Sequence, residues 1–142
     1  MQGQAPLVAR GSSQYCKMDV NEITNMMFDP RCLMSGNDPK YGKMLTASCL
    51  FRGQNISTGE VDMILKKLGD KYASQFVEWI PNRMMSSICK VNPAMNSSNI
   101  SGTMISNSTS IQSSMRRLVT NFDKMYKKKA FIHWYTGEGM DI

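Results

Sequence analysis

The most constraining feature of this sequence is a long apolar stripe near its carboxyl end. Apolar residues recur there at spacings of three and four, which predicts one face of a helix of more than four turns. Ser108 or Thr109 is the expected cap at its start. The stripe consists of Ile111, Met115, Leu118, Val119, Phe122, Met125 and Tyr126, whereas the basic residues Arg116, Arg117, Lys124, Lys127 and Lys128 lie mostly off it.

The segments before this helix alternate between strand and helix patterns. Largely apolar runs of strand length cover residues 5–9, 44–51, 84–91 and 102–106. Two further helices follow capping signals, with inward-facing sets that consist of Val20, Ile23 and Met27 and of Val61, Ile64, Leu65 and Leu68. The order strand-helix-strand-helix-strand-strand-helix predicts an α/β sandwich around a small mixed sheet, followed by the long helix.

Five bulky residues, Phe131 to Tyr135, stand side by side after the basic run at the end of the long helix. Neither a helix face nor a strand face alternates in this way, so the run suits neither pattern. Two glycines around Glu138 follow, and we interpret them as a turn. Some other surface is expected to cover the five residues.

Composition places the chain among globular proteins, with 142 residues, 42% hydrophobic residues and a net charge of +6. No apolar run is long enough to cross a bilayer, and no export signal is recognisable at the start. The chain's four cysteines are far apart and there is one histidine, which disfavours a metal site and fits free thiols in a reducing cytosol. Four Asn-x-Ser/Thr sequons leave a secreted glycoprotein as a rival interpretation.

Motifs for catalysis are missing from the sequence. Neither GxxxxGK[ST] nor GxGxxG occurs, and His133 has no serine or cysteine in a recognisable nucleophile motif. We therefore expect no catalytic site in this segment. The alternative function is a basic nucleic-acid-binding module, in which the charged face of the last helix binds phosphates while Tyr126 and Trp134 stack on bases.

Four stretches together resemble one family. "APLVARGSSQY", "FVEWIPN", "NSTSIQ" and "KAFIHWYTGEGM" strongly resemble the C-terminal half of tubulin, and of its beta chain in particular. The resemblance is collinear over nearly the whole chain. The beta assignment rests on the first stretch, on "WIPN" and on the short loop at residues 92–101.

The resemblance implies a domain organisation. Residues 1–107 correspond to the later part of the tubulin intermediate domain, a mixed sheet with two helices, and residues 108–142 to the start of the C-terminal helical domain. The family's GTP-binding domain and its final helix have no counterpart here, so we expect a fragment or truncated product. No cofactor is expected on this segment, although the intact family protein is a GTPase and implies GTP and Mg²⁺.

The resemblance also implies contact sites and partners. Tubulin subunits stack head to tail through a heterologous interface, which propagates into filaments because it does not close. The expected partners are alpha-tubulin along the protofilament, neighbouring tubulins laterally, and microtubule-associated proteins and motors, in the cytoplasmic cytoskeleton, with no membrane or nucleic acid. The longitudinal contact residues would be Trp79, Ile80, Pro81 and Asn82 at one end and His133, Trp134 and Tyr135 at the other; the lateral and drug-pocket loop would contribute Arg10, Gly11 and Tyr15.

Three positions depart from the family pattern at its drug pockets. Val8 stands where a threonine is usual, Cys16 replaces a common arginine, and Met85 replaces a lysine. Drug sensitivity therefore does not follow from the resemblance.

Overall fold

The computed structural model describes residues 1–9, 11–12, 15, 18–91 and 100–141. The chain divides into two compact units, Met1–Ser110 and Ile111–Ile142, referred to below as the sheet unit and the helical unit.

The sheet unit is built on one mixed sheet of four strands: β1 (Gln2–Ala5), β2 (Met44–Gly53), β3 (Met84–Cys89) and β4 (Ile100–Ser108). Their order across the sheet is β1-β4-β2-β3, with β4 antiparallel to both of its neighbours and β3 parallel to β2. The small mixed sheet predicted from the sequence is confirmed.

Two helices cover one face of this sheet: α1 (Val20–Phe28) and α2 (Thr58–Lys71). The Asp19 side chain caps α1 by accepting a hydrogen bond from the Val20 amide at 2.8 Å. Pro30 lies just beyond the end of α1, where a proline cannot continue a helix. Both helices occur where the sequence predicted them.

The core fills the space between the helices and the sheet. At its centre, Phe51 of β2 and Ile23 of α1 have no exposed surface. Gly102 allows α1 to approach β4 closely, because a Cβ there would lie 2.7 Å from the Ile23 Cγ2 and the Met27 Sδ. The predicted inward-facing residues are buried except Ile64, which is half-buried.

Two expected boundaries were wrong. The first strand was expected at residues 5–9 but lies at Gln2–Ala5, since Pro6 has no amide hydrogen to extend the ladder. The long helix starts later than expected: Ser108 is the last residue of β4, its Oγ accepts a hydrogen bond from the Ser110 amide at 3.3 Å and so caps the 3-10 turn Thr109–Ile111, and α3 begins only after this turn. Thr109 Oγ1 instead accepts a hydrogen bond from the Lys43 amide at 2.9 Å.

The helical unit contains α3 (Gln112–Lys127) and the short α4 (Ile132–Gly137). No residue of α3 is buried, and its apolar stripe is exposed, from 41% at Phe122 to 65% at Leu118, except for Tyr126, which is half-buried. Among the described residues of this unit, only Ile132 is buried. In the part of the chain that the structure describes, no helix is long and apolar enough to span a membrane.

Candidate subunit-contact surfaces

Residues 79–82 form an exposed turn whose two ends are fixed to the sheet. On the entering side, Phe76 is buried and the Val77 amide donates to the Met44 carbonyl at 3.1 Å. On the leaving side, the Arg83 carbonyl accepts from the Ala47 amide at 2.8 Å. Since both ends of the turn are held, its exposed side chains project from a defined base.

Within this turn, Trp79 is 75% exposed, and Pro81 and Asn82 are also exposed, whereas Ile80 is half-buried. Asn82 has φ 52°, in the left-handed region that asparagine tolerates better than most residues. The turn thus presents a large indole beside a residue suited to a sharp change of chain direction. We call residues 79–82 the tryptophan turn.

The five-residue aromatic run forms most of α4, which corrects the expectation that it suits no regular element. The connection from α3 is tight, with Lys129 at φ 54° and Phe131 at φ 62° and with the Ala130 amide donating to the Met125 carbonyl at 3.0 Å. Ile132 is the buried member of the run.

The remaining side chains of α4 point mostly toward solvent. Trp134 is 68% and Tyr135 44% exposed, and His133 is exposed too, with its ring centroid 4.7 Å from that of Trp134. Tyr135 makes an edge contact with Phe122, with ring centroids 6.1 Å apart. One residue of α4 is therefore buried while its aromatic neighbours form a surface, which we call the α4 aromatic surface (residues 133–135).

Of the expected lateral residues, Arg10 lies outside the described part of the chain. Gly11 belongs to a turn in which the Ser12 amide donates to the Ala9 carbonyl at 3.0 Å. Tyr15 is 87% exposed. The tryptophan turn and these loop residues lie in the sheet unit, and the α4 aromatic surface lies in the helical unit.

The titratable groups of the described residues show little that suits catalysis. Burial raises the pKa of the Cys49 thiol to about 12, and burial also raises the pKa of Cys32, so both are poor nucleophiles. Within the described ranges, no group of three His, Cys, Asp or Glu side chains could hold a metal ion.

Sequence reasoning missed a cavity between α2 and β3 in the sheet unit. Its volume is about 320 Å³, it is open to solvent, and its lining combines apolar residues such as Leu65, Phe76 and Met84 with polar and charged ones such as Asp62 and Lys66. No local pattern predicts it, because the residues that line it come from two segments that meet only after folding. Asn82 of the tryptophan turn also lines it.

Comparison with known proteins identifies the family. The family model of the tubulin C-terminal domain matches residues 1–120. The tubulin beta-1 chain of Glycine max is 50% identical and the tubulin beta chain of Cicer arietinum 49% identical, each over 141 residues that cover 99% of this chain and 31% of the relative. A tubulin beta-3 chain of an oomycete-like species is 48% identical over the same length. The chain thus spans about a third of the length of these curated relatives.

Proposed function

Because the chain belongs to the tubulin family, with beta chains among its relatives, we propose that it is a subunit-contact segment of a beta-tubulin-like structural constituent of microtubules. The single observation that carries this proposal is the exposure of both of its tryptophans. Trp79 and Trp134 are 75% and 68% exposed, whereas tryptophan is highly buried on average in folded proteins.

The tryptophan turn supports a longitudinal contact. Buried tryptophan and tyrosine anchors contribute much of the binding energy at protein interfaces. The turn is fixed at both ends by backbone hydrogen bonds to β2, so little conformational entropy remains to be lost when a partner binds it. Trp79, Ile80, Pro81 and Asn82 would meet an alpha-tubulin subunit in the heterodimer.

The α4 aromatic surface supports a second contact of the same kind. Ile132 holds the short helix in place, and His133, Trp134 and Tyr135 stay accessible. We propose that they meet the next alpha-tubulin along the protofilament. Two different surfaces, one for each neighbour, are what a head-to-tail filament requires.

For lateral association, we propose Arg10, Gly11 and Tyr15 as contacts to neighbouring protofilaments. The exposure of the Tyr15 ring, 87%, supports this role for that residue. GTP and Mg²⁺ would be bound by other parts of a complete protein, which would act in the cytoskeleton of the cytoplasm. The nucleic-acid-binding alternative gains no support, because the relatives reported above are tubulin chains.

Incorporation into microtubules tests this proposal. Residues 1–142 would replace the matching third of a complete beta-tubulin, and the chimera would be co-expressed with alpha-tubulin and assembled with GTP. We expect the chimera to sediment with the polymer. Trp79→Ala should lower its share in the pellet about tenfold or more, whereas Met63→Ala, at a 63% exposed position on α2, should not.

A chimera that forms soluble, folded heterodimers and stays out of the polymer would refute the proposal. If Trp79→Ala and Met63→Ala lower the share of the chimera in the pellet equally, the tryptophan turn is not part of the contact.

A further inference from the structure

The outer edge of β3 is an unprotected strand edge. Among the described residues, β3 is the last strand of the sheet and pairs only with β2. Proteins usually protect such edges with a lysine, a proline or a bulge within the strand. The sequence of β3, MMSSIC, contains neither a charged residue nor a proline, and its register with β2 runs without a shift from Met84 to Cys89.

The parallel pairing shows which backbone groups face outward. The Ala47 amide donates to the Arg83 carbonyl, so Arg83 and, by alternation, Met85 and Ser87 direct their backbone groups toward β2. Met84, Ser86 and Ile88 then direct theirs to the free edge. Among the described residues, no backbone hydrogen bond to these three outward-facing positions is recorded. The edge therefore offers three N–H donors and three carbonyl acceptors.

The cavity between α2 and β3 lies beside this edge. Met84 and Ser86, two of the three residues with outward-facing backbone groups, also line the cavity. Its volume of about 320 Å³ falls in the range of sites that hold a ligand or an anchoring side chain. Recognition by strand addition depends on two features: backbone groups that hydrogen-bond the added strand, and pockets that receive alternate side chains of that strand.

The charged residues around β3 indicate which kind of partner strand would bind there. Arg83 and Lys90 flank the edge at its two ends, and the chain as a whole carries +6. Besides Arg83, the charged residues that line the cavity are two acids, Asp62 and Asp70, and one base, Lys66, and Asp62 accepts a hydrogen bond from the Ser86 hydroxyl at 3.2 Å. The basic residues at the two ends of the edge, Arg83 and Lys90, favour acidic groups on a partner there.

We propose that β3 accepts an extended strand from a partner protein, with an apolar side chain in the α2–β3 cavity and acidic residues near the strand's ends. The partner strand would add to the sheet beside β3 and exchange backbone hydrogen bonds with Met84, Ser86 and Ile88. The cavity adjoins the proposed alpha-tubulin contact, because Asn82 of the tryptophan turn also lines it.

A synthetic peptide can serve as the probe. Fluorescein-labelled EVTLTVE amide places its valines and leucine on one face and a glutamate at each end, and its binding to the 142-residue chain would be followed by fluorescence anisotropy. Two further peptides carry N-methyl groups on either the valine and leucine amides or the threonine amides. Since successive amides of a strand point to opposite sides, only one of these sets can face β3.

We expect one methylated peptide to bind about tenfold or more weakly and the other to bind almost as well as the parent, because two or three hydrogen bonds are lost in one case only. Non-specific apolar binding elsewhere on the chain would give the two methylated peptides the same affinity. Equal binding by the two methylated peptides, or no binding by the parent peptide at a concentration of about 1 mM, would overturn the proposal.

Filling the cavity provides the test on the protein side. A Cβ at Gly69 would lie 3.7 Å from the Met84 Sδ, an ordinary contact, so a side chain can start there without a clash, and the Gly69→Leu side chain would extend into the space that the peptide needs. Gly59→Leu is the matched control on the same helix, where a Cβ meets nothing within 4 Å. Gly69→Leu should weaken peptide binding about fivefold or more, with an unchanged circular dichroism spectrum, and Gly59→Leu should not; equal affinities would exclude the cavity from the site.

Discussion

The sheet unit buries many of its apolar residues, whereas the helical unit leaves most of its apolar residues exposed. Among the described residues, fifteen of the sixteen buried hydrophobic residues lie in the sheet unit, and the helical unit contributes only Ile132. In the helical unit, most of the apolar stripe and the aromatic residues 133–135 remain exposed. An amphipathic pattern thus specifies a helix and its apolar face, but the pattern does not specify what covers that face.

The largest expected effect compares the same substitution in the two units. Phe51 has no exposed surface, so Phe51→Ala should cost about 3–5 kcal/mol of unfolding free energy through lost burial and a cavity. Phe122 is 41% exposed and contacts mainly the rings of Tyr126 and Tyr135, so Phe122→Ala should cost about 1 kcal/mol. Urea denaturation followed by circular dichroism measures both. Similar costs would mean that the helical unit has a core of its own.

A smaller difference in stability between the two units is expected when a glycine in each is replaced by alanine. Gly102→Ala forces a methyl group to within 2.7 Å of Ile23 and Met27, and overpacking of this kind costs about 1–3 kcal/mol. Gly137→Ala, at the end of α4, meets nothing within 4 Å and should change stability by about 0.5 kcal/mol or less. Thermal melting of the two variants checks the difference. Tolerance of Gly102→Ala would show that α1 lies farther from β4 than described.

Much of the fold was predictable from residue patterns alone. The inward faces of α1 and α2 follow from apolar spacing, and the start of α1 follows from Asp19. The start of α3 was not predictable in the same way, because Ser108 ends β4 and caps a 3-10 turn that precedes α3, whereas Thr109 accepts a hydrogen bond from the Lys43 amide. The sequence offered two equivalent cap candidates, and it could not show the 3-10 turn that separates them from the helix.

The candidate contact surfaces were predictable only in part. Residues 79–82 were predicted as contact residues from a family resemblance, because a four-residue stretch shows no periodic pattern that would indicate its role. The cavity beside β3 had no sequence signal, because Leu65 and Met84 become neighbours only through the pairing of β3 with β2. The exposure of Trp134 was also beyond local patterns, because buried and exposed aromatics look alike in sequence.

The smallest expected effect lies on the surface of the sheet unit. Arg31 donates to Asp29 through its side chain, at 2.7 Å, and through its amide, which holds the pKa of Asp29 at about 2 instead of 3.8. A lowered folded-state pKa stabilises the protein above the unfolded pKa, and this contribution disappears as the pH falls from about 4 through about 2.

Carboxyl carbon NMR shifts of Asp29 between roughly pH 1 and pH 6, a range that includes both the lowered pKa of about 2 and the ordinary value of 3.8, would measure this effect. Arg31→Gln should raise the Asp29 pKa toward 3.8, with Arg52→Gln on β2 as the control. An unchanged Asp29 pKa in Arg31→Gln would assign the shift to other groups.

Two neighbouring substitutions on α4 test most directly the claim that the exposed aromatics of the helical unit serve subunit contacts. In a complete chain that carries this sequence, co-expressed with alpha-tubulin, Trp134→Ala and Ile132→Ala would be compared by melting temperature and by critical concentration for assembly. Trp134 is 68% and Ile132 9% exposed. We predict that Trp134→Ala raises the critical concentration about tenfold or more with little change in melting, since truncating an interface tryptophan typically costs about 2 kcal/mol, and that Ile132→Ala mainly lowers the melting temperature. A large drop in melting for Trp134→Ala, with unchanged assembly among the molecules still folded, would contradict the claim.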